Sequence, residues 1–170
     1  MPHLKTKDAT NKALFDSLYK NYYAMVLQMC LGYVKGNQEE AKDLTQEIFI
    51  NTWNALKKFK GASSYKTWIY RITVNTCLKY IRDTKSKTAA TLEVSELKSS
   101  QEPEIATNDY SSLYLAIGQL CEIDRLIIML VLEEADYDDI SEVMGISAVN
   151  LRVKIHRIKK NLKKQLKNDF

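Results

Sequence analysis

Apolar residues recur every three or four positions in the first part of the chain. Between residues 13 and 34 they form the series Leu14, Leu18, Tyr22, Met25, Met29 and Tyr33. Because an α-helix turns once in 3.6 residues, this spacing places the whole series on one face of a long amphipathic helix. Gly36 follows the series and is expected to end the helix.

Two more helices are predicted in the same part of the chain. Asn37 and Glu40 resemble a capping box, and the helix that they begin extends to about Phe59. The segment 61–64, with the sequence GASS, interrupts the apolar pattern. Either of its serines suits the N-cap of a third helix over about residues 65–82.

A polar tract divides the chain into two units. Residues 84–109 are rich in Ser, Thr, Lys and Glu and lack a sustained apolar period, so they are predicted to form a flexible linker. A first unit of three to four helices is expected over residues 13–83 and a second over residues 110–167. Helical patterns in the second unit lie near residues 110–119, 123–133, 137–144 and 148–167. The prediction is an all-α fold with two small helical domains.

The composition agrees with that fold, since the 170 residues include only five Gly and two Pro. Cys30, Cys77 and Cys121 are far apart in the sequence and fall in apolar helical patterns. We therefore expect small core side chains rather than a disulfide framework or a zinc site. The chain has no apolar run near 18 residues and no N-terminal signal pattern, so we expect no membrane insertion and a cytoplasmic location.

Charge is distributed unevenly along the chain, although the net charge is only +4. Residues 61–90 carry six Lys or Arg against one acid, and residues 145–170 carry eight against one. Between them, residues 91–144 hold 13 acids and two bases. Two basic segments suggest two contacts with one polyanion, whereas the alternative is two solvated helix faces.

A helix-turn-helix is predicted near the C-terminus. Asp136 is expected to cap a short helix with Asp139 at its third position, and Gly145 supplies the left-handed residue that ends it. Ser147 is the expected N-cap of the longer helix that follows. In a DNA-binding helix-turn-helix, the second helix enters the major groove with its N-terminus first.

The longer helix has an apolar face and a mixed face. Leu151, Ile155, Ile158 and Leu162 fall within one narrow arc that is expected to face the core, and the opposite arc carries Val149, Val153, His156, Lys160 and Lys164. An outward valine suits a thymine methyl group, and Arg152 and Arg157 suit guanine edges or phosphates. The alternative is that the two valines contact a neighbouring helix. No second metal ligand stands at ligand spacing from His156, so we expect no metal there.

The second helix, AKDLTQEIFINTWNAL, also has two faces. Its outward arc is expected to combine acidic and polar residues with two large apolar ones, Ile50 and Trp53. Large outward apolar groups usually mark a contact surface. The alternative for Trp53 is packing on the first helix.

The third helix interleaves aromatic residues with cations. Tyr65, Trp68, Tyr70 and Tyr80 alternate with Lys66, Arg71, Lys79 and Arg82. This combination suits single-stranded or opened DNA, where unstacked bases contact aromatic rings. Some of these rings must belong to the core, and Trp68 is expected to be at least half buried.

Together these segments resemble the extracytoplasmic-function sigma factors, the smallest members of the bacterial sigma superfamily. AKDLTQEIFINTW resembles region 2.2 of that family, FKGASSYKTWIYRITVNTCLKYIR resembles regions 2.3 and 2.4, and LEEADYDDISEVMGISAVNLRVKIHRIKKNL resembles region 4. The resemblance covers about residues 13–166. It implies core RNA polymerase, through its β′ clamp helices and β flap, as a partner. It also implies promoter DNA that is double-stranded upstream and melted downstream, and an anti-sigma factor.

The resemblance and the helix faces described above together give three sets of expected site residues. Core polymerase is expected to bind Asp43, Gln46, Glu47, Ile50 and Trp53. The opened minus-ten element is expected to bind Ser64, Tyr65, Lys66, Trp68, Arg71, Asn75, Lys79 and Arg82. The minus-thirty-five element is expected to bind Ser147, Asn150, Arg152, Val153, His156, Arg157 and Lys160. No catalytic residue, metal or cofactor is expected.

Three positions depart from the family pattern. Leu120-Cys121-Glu122 stands where Leu-Pro-Glu is frequent, Glu134 stands where many members have Gly, and Val153 replaces a frequent polar residue. The first departure affects the expected start of a helix. The last affects the promoter sequence that would be bound.

Two other classes of protein fit the sequence less well. A conventional DNA-binding regulator would use the same C-terminal helix with an N-terminal dimerisation or sensing bundle, but it leaves Ile50, Trp53 and the aromatic-basic helix unexplained. An enzyme is poorly supported, because the sequence has no phosphate-binding Gly loop and no metal-ligand set.

Overall fold

The computed structural model describes residues 3–91 and 110–168, which form seven α-helices and contain no β-strand. The helices are α1 (His3–Tyr33), α2 (Gln38–Leu56), α3 (Tyr65–Thr91), α4 (Ser111–Gly118), α5 (Glu122–Leu132), α6 (Tyr137–Met144) and α7 (Ala148–Asn168). The prediction of an all-α fold is confirmed. The first three helices form the first unit, and the other four form the second.

The first unit buries the apolar faces that the sequence predicts. Leu18 and Met29 of α1 meet Leu44 and Ile48 of α2 in the core, together with Ile69 of α3. Burial of such side chains stabilises the fold by about 1.5–3 kcal/mol each. Short connections between the three helices allow neighbours in sequence to pack as neighbours in space.

Helix ends in the first unit follow the predicted chemistry. Gly36 takes a left-handed φ of 85° after α1, and its N–H bonds the carbonyl of Leu31. The Asn37 side chain accepts the N–H of Glu40 at 3.1 Å, which confirms the capping interaction at the start of α2. Ser64, rather than Ser63, caps α3 by accepting the N–H of Thr67 at 3.1 Å.

Two helix boundaries in the first unit were predicted wrongly. Helix α1 begins at His3 rather than near residue 13, and Lys57 forms an ion pair with Asp8 at 3.2 Å. Helix α3 continues to Thr91, so residues 84–91 are helical and do not belong to the predicted linker. This segment has no Gly or Pro to end the helix, although its polar composition suggests a linker. The rest of that linker, 92–109, lies outside the described residues.

The cysteine prediction holds for two of the three residues. Cys30 and Cys77 are fully buried on α1 and α3. A hydrogen bond with the Cys30 thiol, together with burial, raises the pKa of the Cys77 thiol well above its ordinary value. Cys121 is exposed at the N-cap of α5, so its assignment to the core was wrong. A cysteine immediately before a helix lies outside the face that the helix buries.

The two units pack against each other around a shared core. Helix α1 contacts α4 and α5, and α3 contacts α6. Arg125 of α5 is buried and donates a hydrogen bond to the carbonyl of Tyr33 at 3.2 Å. Tyr114 of α4 donates a hydrogen bond to the side-chain oxygen of Gln28. This contact between the units places α6 beside the aromatic-basic helix.

Candidate functional site

The outward face of α2 carries the first set of candidate residues. Asp43, Gln46 and Ile50 are exposed, and Glu47 is partly buried. The opposite face is buried through Ala41, Leu44, Ile48, Thr52 and Leu56. Ile50 is 60% exposed, so most of this apolar side chain faces solvent.

Trp53 both packs on the first helix and remains accessible. Its ring meets Phe15 of α1 edge-on with centroids 5.2 Å apart, and the residue is 38% exposed. Tyr19 lies next to the same surface, 4.7 Å from the buried ring of Phe49, and is 41% exposed. Tyr19 lies outside the apolar series that the sequence pattern identifies in α1, so that pattern does not indicate its place at this surface.

Aromatic rings cluster at the start of α3. Phe59 lies 4.8 Å from the ring of Tyr65 and 4.8 Å from that of Trp68. Tyr65 and Trp68 are therefore largely covered, which confirms the expectation that Trp68 is at least half buried. Ser64, which directly precedes Tyr65 at the helix start, is exposed.

The polar candidates of α3 divide into two groups. Asn75, Lys79 and Arg82 are exposed on the surface of the helix. Arg71 is half-buried instead, and its guanidinium pairs with the Glu142 carboxylate of α6. The Lys66 ammonium lies 5.8 Å above the ring of Tyr70.

Two tyrosines of the aromatic-basic helix serve mainly to join helices. The Tyr80 hydroxyl donates to the Glu40 carboxylate at 3.0 Å, and burial together with this hydrogen bond raises the pKa of Tyr80 to about 12. The Tyr70 ring is buried, and its hydroxyl donates to the backbone carbonyl of Glu133 at 3.4 Å. These rings connect α3 with α2 and with the second unit, which the sequence did not reveal.

The predicted helix-turn-helix is present. Gly145 adopts the left-handed conformation with φ 66°, and the N–H of Ile146 bonds the Ser141 carbonyl at 3.1 Å. The Ser147 hydroxyl accepts the N–H of Asn150 at 3.3 Å, which confirms its role as N-cap of α7.

Asp136 was predicted to cap α6 through its side chain, and this was wrong. The residue has the extended backbone of an N-cap, but its carboxylate makes no cap hydrogen bond in the described helix. Asp138 and Asp139 already occupy the first turn. Repulsion between like charges disfavours a third carboxylate turned toward them.

The core-facing arc of α7 matches the prediction, since Leu151, Ile155, Ile158 and Leu162 are all buried. On the opposite arc, Val149 is 68% exposed and Val153 is 45% exposed. Neither valine is covered by a neighbouring helix to the extent that a core side chain is. The helix therefore presents two β-branched apolar groups to solvent.

The polar candidates of α7 surround these valines on the surface. Ser147, Asn150, Arg152, His156, Arg157 and Lys160 are all exposed. Lys154 differs, because it turns back and pairs with Asp124 of α5 at 2.9 Å. The structure thus brings the candidate residues of this set onto one accessible, cationic surface, with Val153 among them.

Two further properties concern only the described residues 3–91 and 110–168. Across those ranges, no group of three or more His, Cys, Asp and Glu stands close enough to hold a metal ion. None of their helices is both long enough and apolar enough to span a bilayer.

Sequence models of two protein families match the two units. The model described as Sigma-70 region 2 matches residues 18–87, and the model described as Sigma-70, region 4 matches residues 110–162. The first match contains α2 and the aromatic-basic part of α3. The second contains the helix-turn-helix and most of α7.

Two curated bacterial proteins align over most of the chain. RNA polymerase sigma factor YlaC of Bacillus subtilis is 28% identical over 164 residues, which cover 89% of this chain and 91% of that protein. RNA polymerase sigma-H factor of Pseudomonas aeruginosa is 28% identical over 170 residues, which cover 92% of this chain and 88% of that protein.

Two solved structures share the fold. The sigma factor RpoE of Bartonella quintana, in complex with the anti-sigma factor NepR, superposes with a TM-score of 0.75 at 18% identity. The superposition covers 92% of this chain and 98% of the RpoE chain. CnrH, in complex with the cytosolic domain of CnrY, gives a TM-score of 0.68 at 20% identity, with coverage of 94% and 91%. With both family models matched in order, the chain belongs to the extracytoplasmic-function sigma factors, non-enzymatic proteins that act with RNA polymerase in transcription initiation.

Proposed function

We propose that this chain directs RNA polymerase to promoters by binding both a minus-ten and a minus-thirty-five element. The observation that carries the proposal is the outward face of α7, where exposed valines lie among exposed cations directly after a helix-turn-helix. A helix that only faces solvent does not need exposed valines, and a helix buried in the core does not need exposed cations.

The first part of the proposal is duplex recognition by α7. Val153 lies near the start of the helix, where a side chain reaches base edges, and its methyl groups suit the C5-methyl of thymine. Arg157 and Arg152 suit guanine edges or phosphates. Lys163 and Lys164, further along the helix, suit the phosphate backbone and would add sequence-independent affinity.

The second part is capture of the opened minus-ten strand by α3. Asn75, Lys79 and Arg82 supply exposed polar and cationic groups. The Phe59, Tyr65 and Trp68 rings lie at the N-terminal end of the same helix, where an unstacked base would find an aromatic surface. A helix that binds the single strand better than the duplex shifts the equilibrium toward melted DNA.

The third part is attachment to core polymerase. The exposed apolar group of Ile50, with the edge of Trp53 and the carboxylates of Asp43 and Glu47, suits the clamp helices of the β′ subunit. The second unit is proposed to contact the β flap.

An anti-sigma factor is the proposed regulator. Support comes from RpoE and CnrH, which were both solved in complex with a second protein, described for RpoE as an anti-sigma factor. Such a protein would reduce the binding of this chain to core polymerase. A competition assay with labelled core polymerase measures that reduction, and simultaneous binding of both proteins would contradict it.

The decisive experiment adds the purified chain to core polymerase and a library of double-stranded promoter fragments. We expect transcripts that start at specific positions and depend on the chain. A chain that binds duplex DNA but not core polymerase would instead be a conventional DNA-binding regulator.

A matched pair of variants tests the polymerase surface separately. Ile50→Asp places a charge in the proposed apolar contact and should weaken core binding by roughly tenfold or more. Gln38→Asp introduces the same side chain at an exposed position in the first turn of the same helix and should leave core binding unchanged. Equal affinities for the two variants would place the polymerase contact elsewhere.

A further inference from the structure

We propose that a cavity between the two units binds a small organic phosphate. The cavity has a volume of about 370 Å³ and is open at the surface. Its walls come from the end of α1, the start of α2, residues 80–85 of α3 and Arg125 of α5. None of the residues that line it belongs to the three sets proposed to bind promoter DNA or core polymerase. Those proposed contacts therefore leave the cavity without a role.

One wall of the cavity carries a buried cation. Arg125 lines the cavity although the residue is only 8% exposed. Its Nε donates to the Leu120 carbonyl at 2.9 Å, and one terminal nitrogen donates to the Tyr33 carbonyl at 3.2 Å. These bonds hold the guanidinium in place but use only two of its five N–H groups. The others can donate charge-assisted hydrogen bonds to an oxyanion in the cavity.

Two lysines of the first unit line the same cavity. Lys35 follows α1 with a left-handed φ of 60°, and its side chain passes Gly118 of α4, where an added Cβ would lie 2.9 Å from the Lys35 Cγ. No carboxylate within residues 3–91 and 110–168 pairs with Lys35. Lys85 pairs with Glu122 at 2.8 Å, and this hydrogen bond lowers the pKa of the Glu122 carboxyl. Lys35 and Arg125 are therefore the main cations offered to a ligand.

The charge of the lining favours a doubly charged ligand. The three cations and one carboxylate, that of Glu40, leave a net charge of +2. The two Glu40 oxygens already accept hydrogen bonds, one from the Asn37 amide at 3.1 Å and one from the Tyr80 hydroxyl at 3.0 Å. A phosphate monoester carries about −1.5 to −2 near pH 7 and matches the lining, whereas a monocarboxylate neutralises only half of it.

The size and the apolar walls of the cavity indicate that the ligand also has an organic part. Val34 is buried, Ile81 is half-buried, and both line the cavity together with Tyr80. Sites for small organic molecules typically have volumes of about 300–1,000 Å³ and combine apolar walls with a few polar groups. Inorganic phosphate alone would leave the walls at Val34 and Ile81 uncovered. A phosphate joined to a sugar or a nucleoside suits both features.

Close packing of α1 and α5 preforms the two halves of the cavity. A Cβ on Gly32 of α1 would overlap the sulfur of Met129 on α5 and lie 2.7 Å from its Cγ. This approach holds α5, and with it Arg125, directly against the end of α1. Most of the site thus exists before a ligand arrives, which reduces the entropy that binding must cost.

The first test titrates the full chain with ribose 5-phosphate, glucose 6-phosphate and AMP by isothermal calorimetry. We expect at least one of them to bind with a Kd below about 1 mM. Ribose, glucose, adenosine and inorganic phosphate should each bind at least about tenfold more weakly, because each lacks the phosphate or the organic part. Failure of all three phosphates to bind would overturn the proposal. Equal affinity for inorganic phosphate would mean an adventitious ion only and would also overturn it.

The second test removes one cation at a time. Lys35→Gln should weaken binding of the tightest probe about fivefold. Lys20→Gln makes the same change at an exposed position of α1 and should leave binding unchanged. A loss at Lys163→Gln of α7 in place of Lys35→Gln would locate the phosphate on the basic C-terminal helix and overturn the proposal.

The third test fills the cavity without changing its charge. Thr84 lines the cavity, and Thr88 lies one turn further along α3, outside the lining. Each hydroxyl donates to the carbonyl four residues before it, at 2.8 Å and 3.0 Å. Thr84→Phe should weaken probe binding at least about tenfold, and Thr88→Phe should leave it unchanged. Unchanged binding by a folded Thr84→Phe variant would contradict the site. Circular dichroism verifies folding, and if Thr84→Phe does not fold, the lysine comparison decides.

These outcomes are separate from those that test the proposed function. Specific transcription by a chain that binds none of the three phosphates would overturn the phosphate site alone. Binding that depends on Lys35, in a chain that does not direct transcription, would overturn the proposed function and leave the site standing.

Discussion

Helices α3 and α7 are both long, basic and apolar on one face, but different neighbours lie against their cations. On α7, Arg152 and Arg157 are exposed away from the core. On α3, Arg71 is paired with Glu142 across the contact between the units. A basic amphipathic pattern therefore identifies a candidate nucleic-acid surface, but the packing of the chain decides whether that surface is free.

The apolar groups near the cations also differ between the two helices. Helix α3 carries aromatic rings, of which Tyr65 and Trp68 cluster with Phe59 at the helix start. Helix α7 carries the exposed valines Val149 and Val153 instead. Rings suit unstacked bases and branched aliphatic groups suit thymine methyls, which agrees with the proposed division between melted and duplex DNA.

The largest expected effect tests whether α7 has one buried face and one free face. Leu151→Ala removes a fully buried side chain and should lower the free energy of unfolding by about 2–5 kcal/mol. Val153→Ala, on the free face, should change it by no more than about 0.5 kcal/mol. Urea denaturation measures both. A loss at Val153 comparable with that at Leu151 would mean that α7 is enclosed on both faces.

The next effect concerns DNA binding by the two helices. Arg157→Ala should weaken binding to the preferred duplex by about 1–3 kcal/mol and reduce discrimination between sequences. Arg71→Ala should leave duplex binding by the free chain nearly unchanged, because that cation is paired with Glu142. Anisotropy titrations with double-stranded fragments provide the comparison.

Lys163→Ala is the control for general attraction. It should weaken binding equally for all sequences and reduce the salt dependence by about one unit of slope. Equal, sequence-independent losses for Arg157→Ala and Lys163→Ala would show that the proposed base-reading face of α7 is wrong.

A smaller effect tests whether a serine side chain caps the first turn of both α3 and α7. Ser64→Ala and Ser147→Ala each remove a side-chain oxygen that accepts an N–H of the first turn, and each should lower stability by about 1 kcal/mol. Ser63→Ala should have little effect, since Ser64 provides the cap. Thermal unfolding of the three variants measures the difference, and a large loss at Ser63 would contradict this assignment.

The smallest expected effect lies in the turn that brings α6 to α3. Glu134 adopts a left-handed φ of 57°, which is unfavourable for a residue with a Cβ. Glu134→Gly relieves that strain at the cost of backbone entropy, so stability should rise by a few tenths to about 1 kcal/mol. Asp138→Gly, within α6, should instead lower stability, and urea denaturation compares the two. A destabilising Glu134→Gly would show that its side chain contributes to the turn.

The helix boundaries show where local pattern is sufficient. Gly36, Asn37, Ser64, Gly145 and Ser147 act where the sequence predicts, because capping depends on a residue's own backbone and the next turn. The far end of α3 was missed, because residues 84–91 lack an apolar stripe and yet contain no helix-breaking residue. Lys85 there pairs with Glu122 of the second unit, a distant contact that the local pattern does not contain.

In the candidate site, too, some features follow from the local pattern and others depend on distant contacts. The outward directions of Ile50 and Val153 follow from helical projection, since each helix must bury its continuous apolar arc. The contact of Trp53 with Phe15 and the pairing of Arg71 with Glu142 join residues far apart in the chain. The distribution of charge along the chain does not identify which acidic and basic residues meet, and only packing does.

The sequence by itself determined the helices, their buried arcs, the helix-turn-helix and the family resemblance, because these depend on spacing within a few turns. Tertiary structure decided which surfaces remain free. Close approach at Gly32 and Gly118 joins the two units, and this contact covers one edge of α3 while leaving the outer face of α7 open. The physical reason is that the neighbours of a helix determine which of its faces is free. Neighbours that are distant in sequence leave no periodic pattern in the sequence of the helix itself.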